Sequence, residues 1–153
     1  ETGGNMEEYF GGRGITPVIP DSTIIGEVVN NPSLSDKEKA LVLAAYRTPT
    51  AGGGYCAAWV SNVYVNAGYP RPGGNANDQY YWYCDSSDLS ELRPGMMVAV
   101  PTHNHTAAGK KYGHVGIYVG NGIIRENIGI VKDTKLSDWI AYYGSSAKWG
   151  FPY

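Results

Sequence analysis

Charge is scarce in this chain. Only 17% of its 153 residues are Asp, Glu, Lys or Arg, and they balance to a net charge of −2. That argues against partners held by bulk electrostatics, nucleic acid and anionic membrane among them, because both call for a basic excess. Long apolar runs are missing as well. Nothing approaches the roughly 20 residues that span a bilayer, and no charged-then-apolar leader opens the chain, which reads as a mature or trimmed one. Two cysteines, Cys56 and Cys84, are too few to speak for a redox compartment. Repeats and low-complexity tracts are also absent.

What is present suits one loop-rich globular domain. Apolar residues make up 42% of the chain, and 21 glycines and 9 prolines punctuate it. The 12% of aromatic residues must be buried or meet a ligand. Low charge with abundant Tyr, Asn and Gly leans toward an extracellular setting. Residues 1–33 read as an N-terminal arm or linker, with residues 1–3 resembling an expression-vector scar, and residues 34–153 as the domain proper.

Along the chain, Ser35 and Glu38 have capping-box spacing, which predicts a helix through Tyr46 that stops before Pro49. A second helix is predicted from Cys56, with Val60, Val63, Tyr64 and Ala67 at three- and four-residue steps and Gly68 as its C-cap. Residues 71–91 read as irregular, because the adjacent Tyr80, Tyr81, Trp82 and Tyr83 fit neither helical nor strand alternation. Strands follow over Met96–Val100, Val115–Val119 and Ile123–Asn127, the last two joined at Asn121-Gly122. Ile130–Lys132 extends the sheet, Leu136–Tyr143 reads as a short helix, and Lys148–Phe151 as a final strand. Helices followed by an antiparallel sheet define an α+β fold.

Two points carry chemistry. Gly52-Gly53-Gly54 delivers Cys56 onto the first turn of a helix, where the positive end of the dipole favours the thiolate. His114 opens a half-buried strand further on. A helix-start cysteine followed by a strand-start histidine is the order used by papain-like cysteine enzymes. Three blocks sharpen the likeness: Tyr55-Cys56-Ala57-Ala58-Trp59-Val60, Leu92-Arg93-Pro94-Gly95-Met96-Met97-Val98, and Gly113-His114-Val115-Gly116-Ile117-Tyr118-Val119-Gly120-Asn121-Gly122. Together they resemble NlpC/p60-type cell-wall peptidases and are similar to the related CHAP amidases and endopeptidases, over roughly residues 35–153.

The resemblance implies a papain-like NlpC/CHAP core, N-terminal helices packed on an antiparallel sheet. It implies Cys56 as nucleophile, His114 as general base and then acid, and Glu126 as the polar residue that orients the imidazole. Strand alternation leaves that third position open. A strict two-residue turn at Asn121-Gly122 puts Asn127 on the His114 face, whereas a three-residue loop brings Glu126 round. The implied activity is a secreted, wall-associated bacterial hydrolase acting as a monomer on an amide bond of peptidoglycan. That bond lies in the stem or cross-bridge peptide, or is the N-acetylmuramoyl–L-alanine amide. Tyr55, Trp59, Tyr80, Tyr81 and Trp82 are the expected groove walls.

Departures stand beside the likeness. Tyr55 replaces the usual Asp before the cysteine, Ala57-Ala58 the usual Ser-Gly after it, and Met96 the acidic residue after the Pro-Gly turn. The other reading is therefore a wall-binding or effector module that keeps the fold without turnover. No cofactor or metal is called for: His103 and His105 lack a third ligand at suitable spacing and read as a solvated loop at the cleft rim. Cys84 reads as a small hydrophobe. Gly11-Gly12-Arg13-Gly14 lacks the context of a phosphate loop.

Overall fold

The computed structural model of the chain describes residues 22–153, so the readings of residues 1–3 and 11–14 lie outside the described residues. Within the arm, helix α1 spans Ser22–Val29. The predicted capping box is formed: the Ser35 side chain accepts from the Glu38 N–H, and Glu38 accepts from the Ser35 N–H. It opens α2 (Asp36–Arg47). Glu38 also receives two bonds of 2.7 Å from the Arg93 guanidinium, which ties α2 to the turn before the sheet. Helix α3 (Cys56–Asn66) starts at Cys56 as the periodicity predicts.

One helix lies in the stretch 71–91 that reads as irregular, and another follows the His103–His105 loop. Residues 76–83 form α4 (Ala76–Tyr83), capped reciprocally by Asn75 and Asp78. The aromatic run is helical because its members divide by depth: Ala76 and Tyr80, one turn apart, are buried, while Tyr81 and Trp82 point to solvent. A short α5 (Ala107–Tyr112) is capped by the Thr106 hydroxyl and ends at Gly113.

Among the described residues there are five strands, β1 (Met97–Val100), β2 (His114–Gly120), β3 (Ile123–Asn127), β4 (Val131–Lys135) and β5 (Lys148–Gly150). They form one antiparallel sheet in the order β4-β3-β2-β1-β5. Helix α6 (Leu136–Tyr143) lies between β4 and β5 in sequence. Alternation divides the core. Met97, Ala99, Val115 and Ile117 pack against α2, α3 and α4, whereas Val98, Val100 and Ile124 pack with Trp139 of α6 and Trp149. The fold is α+β, helices packed on an antiparallel sheet, as expected of a papain-like core.

Register on the β2–β3 hairpin decides which residue faces His114. The turn is the two-residue Asn121-Gly122 connection, with φ of 54° and 71°, and Gly120 pairs Ile123. One residue on, the ladder slips: Tyr118 pairs Ile124 and Ile117 pairs Arg125, leaving Val119 as a bulge. Because side chains alternate, that single extra residue exchanges the faces. Glu126 joins the face of His114 and Ile124, and Asn127 turns to the α3 face.

Candidate active site

His114 opens β2 and is 1% exposed. Its Nε2 lies 2.7 Å from Glu126 Oε1. An ionised carboxylate can only accept, so Nε2 carries the proton and exchange with a reacting group falls to Nδ1. Glu126 is held in turn. The Thr134 hydroxyl donates to Oε2 at 2.5 Å and the Tyr143 hydroxyl stands 3.4 Å from Oε1. Burial pushes the Glu126 carboxyl up, but the His114 hydrogen bond and charge outweigh it, with help from Thr134 and Lys132, and the net direction is down. Glycine at 116 is required here. A Cβ would sit 2.7 Å from Ile124 Cγ2 and 3.3 Å from Glu126 Cβ, displacing the carboxylate.

The imidazole is packed against a cluster of aromatic rings. Tyr143 stacks on it at 4.4 Å and 23°, Trp139 lies at 5.9 Å, and His103 meets it edge-on at 6.2 Å. Trp139 and Tyr143 are one turn apart on α6, so the helix presents both to the same face of the sheet.

His103 corrects the reading of 103–105 as a solvated loop. It is buried against α5, where Gly109 makes room: a Cβ there would fall 2.0 Å from His103 Cε1. His105 is exposed, stacks flat on Tyr142 at 3.6 Å, and its Nε2 bonds the Tyr142 carbonyl. Among the described residues, no three His, Cys, Asp or Glu side chains converge as a metal site.

Cys56 is the first residue of α3, buried, and preceded by a loop whose Gly52 and Gly54 have φ of 106° and 79°. Asn127, at the end of β3, bonds the Gly52 and Tyr55 carbonyls. The Cys56 end of α3 therefore lies at the same end of the sheet as His114 and Glu126. Cys84, at the C-terminal end of α4, is also a buried free thiol. Burial, with Asp85 adding to it and Lys148 opposing, pushes it up to about 12.

Two adjoining cavities open at this end. One, about 300 Å³, is lined by Gly54, His103, His105, Thr106, Ile128, Tyr142 and Tyr143. The other, about 490 Å³, shares Ile128, Tyr142 and Tyr143 and runs past Glu126 to Lys132 and Asp138. None of the five predicted groove residues lines either one. Trp59 is a core residue, 0% exposed, with its indole N–H on the Thr48 carbonyl, so it cannot be a groove wall. Tyr80 is buried and bonds Ser146, and Tyr81 and Trp82 stand on the outer side of α4. Tyr55 is half-buried before Cys56, where its backbone matters most. The cleft's aromatics come instead from α6, whose spacing of Trp139 and Tyr143 was the available signal. Thr134 gave none, since only strand pairing brings it to Glu126.

The helices packed on a five-stranded antiparallel sheet make an α+β fold consistent with a papain-like core. The solved structure of NlpC1 from Trichomonas vaginalis has the same fold, with a TM-score of 0.54 and 21% identity over 80% of this chain. NlpC2 from Trichomonas vaginalis aligns with a TM-score of 0.49 and 20% identity over 71% of this chain. This chain spans less than half of either, 47% and 44% of their lengths. No protein-family model matches the chain, and no curated protein matches it.

Proposed function

We propose that the protein is a cysteine hydrolase that cuts an amide bond of bacterial peptidoglycan, in the stem or cross-bridge peptide or at the N-acetylmuramoyl–L-alanine amide. The buried 2.7 Å pair of His114 and Glu126 carries this reading. A carboxylate on Nε2 fixes the tautomer and stabilises the imidazolium, which is what a histidine serving a thiol requires.

In this mechanism the Cys56 thiol gives its proton to His114 Nδ1, and Sγ attacks the amide carbonyl carbon. The carbonyl electrons move to oxygen, and the Cys56 N–H helps hold that oxyanion. Collapse breaks the C–N bond as the imidazolium protonates the departing amine, leaving a thioester. His114 then takes a proton from water, whose oxygen attacks the thioester carbon, and the thiol leaves with that proton. Glu126 stays ionised throughout. The cleft beside α6 receives the peptide, and the protein works outside the cell, at the wall, as a single chain.

The test is digestion of purified diaminopimelate- and lysine-type peptidoglycan by the wild type and Cys56→Ala, with products read by mass spectrometry. Soluble fragments from the wild type alone support the reading, and their masses name the bond. No fragments from any wall, with Cys56 alkylated no faster than Cys84, would leave a wall-binding module on the same fold.

A further inference from the structure

We propose that Asn127 is a positioning residue for the nucleophile loop: its buried carboxamide holds the Gly52 and Tyr55 carbonyls so that the Cys56 N–H points at the oxyanion. This rests on the hydrolase reading and adds a residue to it. Asn127 is 1% exposed, and the bulge at Val119 turns it away from His114 and toward α3. Its amide is engaged through both N–H donors and its oxygen. Nδ2 donates to Gly52 O at 2.9 Å and to Tyr55 O at 3.3 Å, and Oδ1 accepts from the Thr50 hydroxyl at 2.5 Å. Thr50 Oγ1 in turn accepts the Gly52 N–H at 3.0 Å. All three of its bonds therefore end on the segment 50–55.

The physical consequence follows from peptide planarity. The Tyr55–Cys56 bond is trans, so its C=O and N–H point in opposite directions, and fixing one aims the other. Tyr55 O also accepts the Trp59 N–H of the first helical turn. Asn127 adds a second donor and anchors Gly52, whose lack of a side chain would otherwise let the loop rearrange. A first-turn N–H has no acceptor within its own helix, which is why it serves as an oxyanion donor only if its direction is kept.

Asn127→Leu tests this, because it roughly keeps the volume and removes both N–H donors of Nδ2 without adding a charge beside the thiol. Two reactions of Cys56 are compared in the intact protein. Acylation by p-nitrophenyl acetate passes through a tetrahedral oxyanion, whereas alkylation by iodoacetamide does not. The acylation rate should fall roughly 10- to 100-fold, since losing one such donor costs about 10²–10³. Alkylation should stay within about twofold, a contrast that a merely structural role would not produce. Thr50→Val, which leaves the carboxamide in place but removes its orienting hydroxyl, should shift the same ratio in the same direction by a smaller factor. If both reactions fall together, or neither ratio moves, Asn127 does not position the oxyanion donor. If wild-type Cys56 is not acylated faster than Cys84, the hydrolase reading fails and takes this one with it.

Discussion

Glu126→Gln removes one charge and almost no volume from the site. In the wild type the carboxylate accepts from His114 Nε2 at 2.7 Å with both residues buried, so solvent screens the pair little. A hydrogen bond to a charged group contributes about 1.5–3 kcal/mol and a neutral one about 1 kcal/mol, so the carboxamide forfeits roughly 1–2 kcal/mol of imidazolium stabilisation. At 1.36 kcal/mol per unit, the imidazolium should discharge about one pH unit lower. The assay is the rate of Cys56 alkylation by iodoacetamide from pH 5 to 10. The high-pH limb of the imidazolium-assisted phase should move down by about one unit, and the rate at a pH on that limb should drop by up to about 10-fold. Glu126→Ala should be worse in a different way. It leaves the Nε2–H buried without its acceptor and should lower folding stability by about 2–4 kcal/mol. A Glu126→Gln profile that superimposes on the wild type, with Tm also unchanged, would refute the assignment of Glu126 as the group that charges and orients His114.

Four further outcomes follow from the structure. Gly113→Ala should destabilise the fold by about 3 kcal/mol in urea unfolding, because its φ of 76° suits glycine and a Cβ would fall 2.1 Å from Val100 O. Trp59→Phe should cost about 1–3 kcal/mol of stability through the lost bond to Thr48 while leaving KM unchanged, as befits a core residue. Cys84 should resist alkylation below pH 9 until the protein unfolds, since burial holds it at about 12. Acidification should loosen the contact between α2 and the turn before β1. The Arg93 hydrogen bonds hold Glu38 below 4.5 in the folded protein, so their stabilisation is complete above that value and is lost as the pH falls through the lower folded one. Glu38→Gln should flatten the acid limb of a Tm-versus-pH curve.

Much of this architecture is written locally. Glycines before Cys56, a three-four periodicity after it and a capping box at Ser35 are neighbour-scale signals, and each element they predict is present. The alternation after His114 likewise locates β2. The aromatic run at 80–83 reads as irregular because period alone cannot tell a helix with two wet aromatics from a loop, although Asn75 and Asp78 hold the cap signal. The expected groove failed at Trp59 for another reason. Hydrophobic type shows that a residue wants cover, not whether a substrate or the core supplies it.

By itself, then, the chain determines where its cysteine and histidine sit in their own elements, because helix starts and strand starts depend on residues a few positions away. Tertiary structure decided the rest. A one-residue bulge at Val119 gives Glu126, not Asn127, to His114 and turns Asn127 toward the loop before Cys56. Strand period is two, so a slip of one exchanges every partner, and that slip is settled by pairing across the sheet.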